Sequence, residues 1–223
     1  LYFFFSLIKK KLQTPNEIGV PIICVGNLVT GGSGKTPIVL YLVNFFRKKK
    51  INVHVVTRGY GGKLKGPIKV NNNKHSCLEV GDEALLLSYK TTVWVSKNRY
   101  EGVFAATLSG ADLIIFDDGL QNYSVKKDLN IIVVDGEFGF GNNFVLPAGP
   151  LRENINSGIK KSQILILLND DKNNIEFVLT NGALEINFKG NHYESTIDND
   201  GYQNKFSGQF KVVQNTKLLS SFA

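Results

Sequence analysis

The residues from Val20 to Tyr41 have the types and the spacing that bind phosphate. They read VPIICVGNLVTGGSGKTPIVLY, in which an apolar β-branched run leads into a glycine-rich turn and then into an amphipathic segment. Backbone N–H groups in such a turn converge on an anion, and a helix N-terminus adds partial positive charge. The residues that we expect to contact a nucleotide are Thr30, Gly31, Gly32, Ser33, Gly34, Lys35 and Thr36.

Two of these residues have specific chemistry in loops of the form G-x-x-x-x-G-K-[ST]. We expect Lys35 to reach the β- and γ-phosphates and the Thr36 hydroxyl to bind Mg²⁺. Val29 occupies the place of the first consensus glycine, so the loop is a variant. A glycine turn with a purely structural purpose is the alternative.

Carboxylates follow two apolar runs, as they do where a strand end helps to hold Mg²⁺. Asp117 and Asp118 come at the end of LIIFDD, and Asp135 follows IIVV. Ligands of open α/β sheets bind beyond the carboxyl ends of the strands, so we predict Asp117 and Asp118 as metal ligands. If the strand continued, their side chains would point in opposite directions. The alternative is that all three acids end strands and cap turns.

Two more segments combine glycine with charge. In TRGYGG, Arg58 offers a planar cationic fork while the glycines admit a ligand close to the backbone. The second segment, Gly81-Asp-Glu83, opens a predicted helix. From the residues alone, Asp82 is either the N-cap of that helix or the group that activates an attacking hydroxyl.

The elements that must position these residues alternate in the manner of a parallel α/β sheet. Strands are predicted at Ile22–Gly26, Val53–Thr57, Val93–Ser96, Leu113–Phe116, Ile131–Val134 and Ile164–Leu168. Helices are predicted at Lys35–Lys49, Asp82–Tyr89 and Arg99–Leu108. The strands are apolar throughout, which indicates burial on both faces.

The amino-acid composition changes after Asn169, where Asn, Asp and Lys become frequent. We therefore predict a core at residues 20–158 and the start of a second, smaller α/β region at residues 159–223. Within that region, Ala183–Phe188 alternates like a half-exposed strand. The chain has no methionine, and its last residues, Lys217–Ala223, look like a strand entering a core. These features predict truncation at both ends; a short edge strand at a real terminus is the alternative.

Residues 1–19 open with LYFFFSLIKKKL, an apolar run followed by three lysines. The run is shorter than the roughly 20 apolar residues that span a bilayer. We predict a helix at the membrane interface, with the lysines beside anionic headgroups. A helix packed on its own domain and a remnant of a longer hydrophobic segment are the alternatives.

The formal net charge of +7 predicts an anionic partner, such as a nucleotide or a phospholipid surface. Nucleic acid is not expected, because no basic cluster is interleaved with aromatic residues. Cys24 and Cys77 match no zinc or disulfide framework and fit a reducing compartment. Nothing in the sequence indicates an oligomeric state.

The motifs together resemble the tetraacyldisaccharide 4′-kinase family of lipid A biosynthesis. The blocks occur in the family's order, from about Val20 to Glu153: VGNLVTGGSGKTP, TRGYGG, GDEALLL, DDGLQN and VVDGEFGFGNNFVLPAGPLRE. The resemblance implies a P-loop NTPase-like α/β fold, a mostly parallel sheet with helices on both faces. It further implies an inner-membrane kinase, facing the cytoplasm, that moves the γ-phosphate of ATP to the 4′-hydroxyl of tetraacyldisaccharide 1-phosphate, giving lipid IVA.

The same resemblance implies roles for single residues. Ser33, Lys35 and Thr36 fall on the family's phosphate loop, and Asp117 and Asp118 fall on the acidic pair near Mg²⁺.

Asp82 falls on the family's catalytic acid, which activates the 4′-hydroxyl. Arg58 falls on the RGYGG element, beside the phosphates or the lipid headgroup.

The chain departs from the family pattern in two places. Asn122 stands where the family usually has His, and a downstream Asp-His-His segment is absent. His192 lies in a hydrophilic stretch and, like His54 and His75, is interpreted as a solvated loop residue. If Ala223 is the true end, ATP binding with severely impaired turnover is expected.

Two other functions stay open at this point. A P-loop switch or metal-delivery GTPase would need an N/T-K-x-D element, and Leu168–Asp171 lacks its lysine. A catalytically impaired remnant of the kinase is the other.

Overall fold

The structure, a computed structural model, describes residues 15–169 and the backbone of two later strands, Ala183–Ile186 and Phe210–Asn215. The described residues divide into two compact units, one formed by residues 15–27 with 38–130 and the other by residues 28–37 with the described residues after 130. The predicted segments at residues 1–14 and 217–223, and His192, lie outside the described residues. Among the described residues, no helix is long and apolar enough to cross a membrane.

The first unit contains a sheet of five strands in the order β3-β4-β2-β5-β1. All neighbours in it pair in parallel except β3 and β4. The strand bounds are β1 Ile22–Gly26, β2 Val53–Thr57, β3 Ile68–Lys69, β4 Thr92–Val95 and β5 Leu113–Asp117. Every residue of β1, β2 and β5 is buried, which confirms the burial predicted from their apolar sequences.

Four of the described helices lie wholly or mainly in this unit. Their bounds are α1 Lys35–Lys48, α2 Cys77–Val80, α3 Asp82–Ser88 and α4 Arg99–Leu108. Helix α1 buries Ile38, Val39 and Val43, which recur at the spacing of one helix face. The predicted helices are therefore confirmed to within one residue at each end.

The second unit contains a sheet in the order β6-β7-β9-β8. Strands β6 and β7 pair in parallel, whereas β9 is antiparallel to both of its neighbours. The bounds are β6 Leu129–Asp135, β7 Ile164–Leu168, β8 Ala183–Ile186 and β9 Phe210–Asn215, with helix α5 at Ile155–Lys160. A mostly parallel α/β fold is thus confirmed, and so is the strand predicted at residue 183. The predicted domain limits remain a prediction.

Candidate functional site

The phosphate loop of the second unit is held by the segment PAGPLRE. Val29 and Leu151 form an antiparallel bridge. On either side of it, Thr30 N donates to Pro150 O at 2.8 Å and Arg152 N donates to Leu28 O at 2.7 Å. The structure therefore brings two sequence motifs together and explains the missing glycine, because position 29 is extended, paired and buried.

The glycines after Val29 give this loop its shape. Gly31 and Gly34 have φ values of 113° and 71°, which residues with a Cβ rarely adopt. A Cβ at Gly34 would also lie 2.2 Å from Leu168 Cδ1. By contrast, nothing lies within 4 Å of a Cβ built at Gly31 or Gly32, so the outer side of the turn is open.

Ser33 is the buried polar residue of the loop, with 2% of its surface exposed. Its Oγ has no hydrogen-bond partner in the structure. Buried hydroxyls are normally paired, so an unpaired one beside backbone N–H groups fits a phosphate oxygen. Helix α1 then begins at Lys35, with Lys35 and Thr36 half-buried in its first turn and no acidic residue there. This set of donors fits a nucleotide phosphate.

In the first unit, Asp117 is the buried carboxylate at the end of β5, with 3% of its surface exposed. Its Oδ2 accepts a 3.0 Å hydrogen bond from Thr57 Oγ1, at the end of the neighbouring β2. Burial and, next, the charge of Glu83 raise the pKa of Asp117 to about 6, against the lowering effect of Arg99. A cation beside this carboxylate would favour its ionised form, so the site fits a hard divalent ion.

The residue after it, Asp118, does not continue the strand. Its φ is 51°, and its N–H donates to Val25 O at 2.9 Å, so the chain turns at this point. The alternation of side-chain directions considered for Asp117 and Asp118 therefore does not apply. Asp118 is half-buried. The described residues contain no cluster of three or more His, Cys, Asp and Glu side chains suited to a metal, and Mg²⁺ commonly takes one or two carboxylates with phosphate and water.

Arg99 holds the turn at Asp117 and Asp118 in place through hydrogen bonds to backbone carbonyls. The sequence analysis did not assign this residue to the site. Its guanidinium is buried and donates to the carbonyls of Val56, Asp117 and Asp118 at 3.1, 2.6 and 3.2 Å. It also lies 4.8 Å from the centre of the Phe116 ring. The available signal was a basic residue in the first turn of a helix, which the helix dipole disfavours.

The TRGYGG segment packs directly on the start of helix α3. A Cβ at Gly62 would lie 2.7 Å from Gly81 N, and one at Gly81 would lie 2.4 Å from Tyr60 O. Glycine at these positions therefore lets the two backbones meet. The segment that carries Arg58 therefore contacts the segment that carries Asp82, and both side chains are exposed. Two motifs that are separate in the sequence form one surface.

The structure also decides the local position of Asp82. The N-cap of α3 is Gly81, and Asp82 is the first helical residue. The N-cap alternative for Asp82 is therefore wrong.

The candidate acid of the second unit, Asp135, has structural contacts. Its Oδ1 accepts from Glu137 N at 3.0 Å and from Asn169 Nδ2 at 3.1 Å. These bonds close the turn after β6. Asp135 thus ends a strand and caps a turn, which was the alternative to a role in metal binding. Asn122, which replaces a family histidine, likewise serves its own loop, since its Oδ1 accepts from Ser124 N and Oγ.

Two further polar residues are buried: His54, against the sequence interpretation, and Asn27, to which the sequence analysis gave no role. His54 is not a solvated loop residue: it lies within β2 and is 2% exposed. Asn27, directly after β1, is fully buried, and neither polar atom of its side chain has a partner in the structure. Sequence reasoning passed over Asn27 because an isolated Asn after a strand is typical of a turn.

The comparisons with known proteins agree with these motifs. A family model described as tetraacyldisaccharide-1-P 4′-kinase (LpxK) matches residues 3–220. A tetraacyldisaccharide 4′-kinase from Rhodospirillum centenum is 48% identical over 158 residues, covering 71% of this chain and 47% of that protein. One from Rhodospirillum rubrum is 46% identical over 174 residues, covering 77% and 53%. The chain thus spans about half the length of the curated relatives it matches.

Among solved structures, the "apo" form of LpxK from Aquifex aeolicus in complex with ATP has a similar fold. The TM-score is 0.65 at 28% sequence identity, and the match covers 75% of this chain and 62% of that one.

Proposed function

The chain belongs to the tetraacyldisaccharide-1-P 4′-kinase family, and from that membership we propose that it phosphorylates a lipid sugar. The proposed reaction moves the γ-phosphate of ATP to the 4′-hydroxyl of tetraacyldisaccharide 1-phosphate and forms lipid IVA. Relatives that carry the name of this kinase support the proposal. The observation that carries it is the packing of the Arg58 segment on the Gly81–Asp82 helix start.

The proposed nucleotide-binding residues are those of the loop and of the first turn of α1. The open side of Gly31 and Gly32 and the unpaired Ser33 Oγ support this assignment. Lys35 would neutralise charge on the transferring phosphoryl group, which is the main demand of this chemistry. Mg²⁺, when bound, supplies further neutralisation of phosphate charge. The proposed ligands for it are Thr36, Asp117 and Asp118.

The proposed activator of the sugar hydroxyl is Asp82. An alcohol is a weak nucleophile, and a carboxylate that accepts its proton makes the attack easier. Asp82 is exposed on the first turn of α3, where a substrate can reach it. Arg58 offers a planar cation for a phosphate on the donor or on the lipid.

We also propose a location at the cytoplasmic face of the inner membrane, peripheral or amino-terminally anchored, since the acceptor is a membrane lipid. The net charge of +7 supports contact with anionic headgroups. Co-sedimentation with vesicles containing phosphatidylglycerol tests this placement. Recovery of all the protein in the supernatant would contradict it.

The transfer itself is tested with γ-labelled ATP and tetraacyldisaccharide 1-phosphate in detergent micelles. We expect a labelled lipid product with ATP. The Lys35→Ala variant is the negative control, because it lacks the cation of the loop but keeps Asp82. Binding of ATP, measured separately by titration calorimetry, reports on the loop alone.

A switch or metal-delivery GTPase gives a different result in the same assay. It would hydrolyse the nucleotide, with a preference for GTP, and form no labelled lipid. That result would contradict the kinase proposal. Binding of ATP with no detectable transfer would instead support the impaired-remnant alternative.

A further inference from the structure

A polar cleft of about 620 Å³ lies in the first unit at the amino ends of β2 and β4. Its walls come from the end of α1, the start of β2, β3, and the end of α3 with the connection to β4. Its polar lining includes Arg47, Lys50, Asn52, Lys69 and Lys90. The volume lies within the range of about 300–1,000 Å³ that is usual for small-molecule sites.

This cleft is separate from the residues proposed for phosphoryl transfer. Val53 lines it, whereas Thr57 and Arg58 are at the opposite end of the same strand. The five residues of β2 place about 13 Å between Val53 and Thr57, at roughly 3.3 Å per residue. A ligand of the cleft would therefore be distinct from one that contacts Arg58.

The lining is strongly cationic. It includes four basic side chains, and no acidic residue is among the described residues that form it. Asp112 brings a carboxylate to the edge of the cleft, since its Oδ2 accepts from N of the lining residue Asn52 at 2.8 Å. The C-terminal ends of α1 and α3 add roughly half a negative charge each. Asp112 and the two helix ends together offset about two of the four positive charges of the lining.

Three neutral polar side chains of the cleft already make hydrogen bonds within the fold. Ser88 Oγ donates to Leu85 O at 2.6 Å, Asn52 Nδ2 donates to Gly110 O at 2.6 Å, and Thr91 Oγ1 donates to Val53 O. Arg47 donates through Nη1 to Lys90 O, which holds the guanidinium in place. An arginine has five N–H donors, so a fixed guanidinium keeps others for a ligand. Recognition in this cleft therefore depends on cations.

We propose that this cleft is a second anion site, which binds a phosphate ester of small-molecule size independently of the phosphate loop. Arg47 supplies the planar, positioned donor, and Lys50, Lys69 and Lys90 add positive charge to the lining around it. Phosphate is the matching chemistry, because it spreads two or more negative charges over oxygens that accept from several donors at once. The proposal does not depend on the kinase activity proposed above.

The test uses pyrophosphate as the probe, in a Lys35→Ala background that removes the cation of the loop. We expect calorimetric binding to persist in this background at about 0.15 M ionic strength, where exposed charges still interact over roughly 8 Å. Adding Lys50→Gln and Lys69→Gln should weaken that binding about tenfold, in keeping with the loss of two partly exposed ion pairs. The control is Lys48→Gln with Lys160→Gln, which removes two positive charges from exposed helix positions outside the cleft.

A vesicle experiment identifies the source of the phosphate. Binding to phosphatidylcholine vesicles with 25% phosphatidylglycerol is compared for the same variants. If Lys50→Gln/Lys69→Gln weakens vesicle binding and pyrophosphate competes for it, the phosphate comes from a lipid headgroup. If those substitutions weaken only pyrophosphate binding, the ligand is a soluble phosphate ester. The proposal fails if neither probe distinguishes the Lys50/Lys69 variant from the Lys48/Lys160 control.

Discussion

Thr57 Oγ1 donates a 3.0 Å hydrogen bond to Oδ2 of Asp117, joining the last residues of two adjacent parallel strands. Both residues are buried. The bond favours the ionised carboxylate and therefore opposes the burial that raises the pKa of Asp117 to about 6. Thr57 is thus a positioning residue for the carboxylate that we propose as a metal ligand.

Replacing Thr57 with Val keeps the shape of the side chain and removes the donor. At pH 8, where Asp117 is ionised, we expect the free energy of unfolding to fall by about 1–3 kcal/mol, because a buried carboxylate oxygen loses its partner. Urea denaturation followed by circular dichroism measures the loss. At pH 4.5 the loss should be smaller, because the carboxyl is mostly protonated.

The control for this prediction is Thr57→Ser, which keeps the hydroxyl. It should recover most of the stability at pH 8. Equal losses for the Val and Ser variants would show that the methyl group, and not the hydrogen bond, matters at this position.

Gly34→Ala tests the shape of the phosphate loop. The new Cβ would meet Leu168 Cδ1 at 2.2 Å, and the φ of 71° is unfavourable for alanine. Together these effects should cost roughly 2–5 kcal/mol and abolish measurable ATP binding. Thermal unfolding and calorimetry with ATP provide the two measurements.

Gly32→Ala is the matched substitution, because its Cβ would have nothing within 4 Å. Its melting temperature should stay within a few degrees of the unsubstituted protein. If Gly32→Ala destabilised the protein as much as Gly34→Ala, the described close approach to Leu168 would not be the cause.

Val29→Gly would create the consensus glycine of phosphate loops, and we expect it to harm this protein. Val29 is buried and pairs with Leu151, so the change removes apolar contact worth up to about 3 kcal/mol and adds backbone entropy to the unfolded chain. Chemical denaturation measures the loss. The free energy of unfolding of Val29→Ala should lie between those of the unsubstituted protein and Val29→Gly. A Gly variant as stable as the original would contradict the bridging role of Val29.

The strands and the main helices were predictable because their signals are local. Apolar β-branched runs set β1, β2 and β7 to the residue, and Arg99–Leu108 was placed without error. Parallel strands bring their carboxyl ends to one edge, so Thr57 and Asp117 could be expected to lie near each other.

The remaining features depend on contacts between distant residues. The bridge between Val29 and Leu151 joins segments more than 100 positions apart, and no local pattern predicts it. Arg99 looks like a surface residue of a helix start until Asp117 and Asp118 provide carbonyls beneath it. The sequence left open whether Asp82 is the N-cap of α3; that position belongs to Gly81, which also admits the TRGYGG backbone at close range.

Asp82→Asn tests the proposed activation of the sugar hydroxyl. Loss of a general base lowers transfer by roughly 10²–10⁴-fold, whereas the affinity for ATP should change little because the phosphates are bound elsewhere. The label-transfer assay and calorimetry with ATP separate the two effects. Glu83→Gln removes the neighbouring charge instead and should retain most of the transfer. Equal transfer rates for the Asp82→Asn and unsubstituted proteins would remove the proposed role of Asp82.

His54 should make the stability of the first unit depend on pH. It lies in β2, where its Nδ1 accepts from Trp94 Nε1 at 3.4 Å, and burial together with Lys69 lowers its pKa. The unfolded chain therefore binds a proton more readily than the folded protein does near pH 6. The contribution of neutral His54 to stability is complete above about pH 6.5 and is lost as the pH falls toward the lowered pKa.

The protein contains one tryptophan, so fluorescence reports on this pair directly. We expect acid to quench Trp94 emission with a midpoint below pH 6.5, and His54→Leu to abolish that transition. Between pH 7 and pH 5, the free energy of unfolding of the unsubstituted protein should fall relative to that of His54→Leu. Asp117, whose pKa is about 6, titrates in the same interval with the opposite sign, but it is present in both proteins and cancels in the difference. His75→Gln serves as the control and should keep the transition. A transition that is lost in His75→Gln but retained in His54→Leu would show that His54 does not quench Trp94.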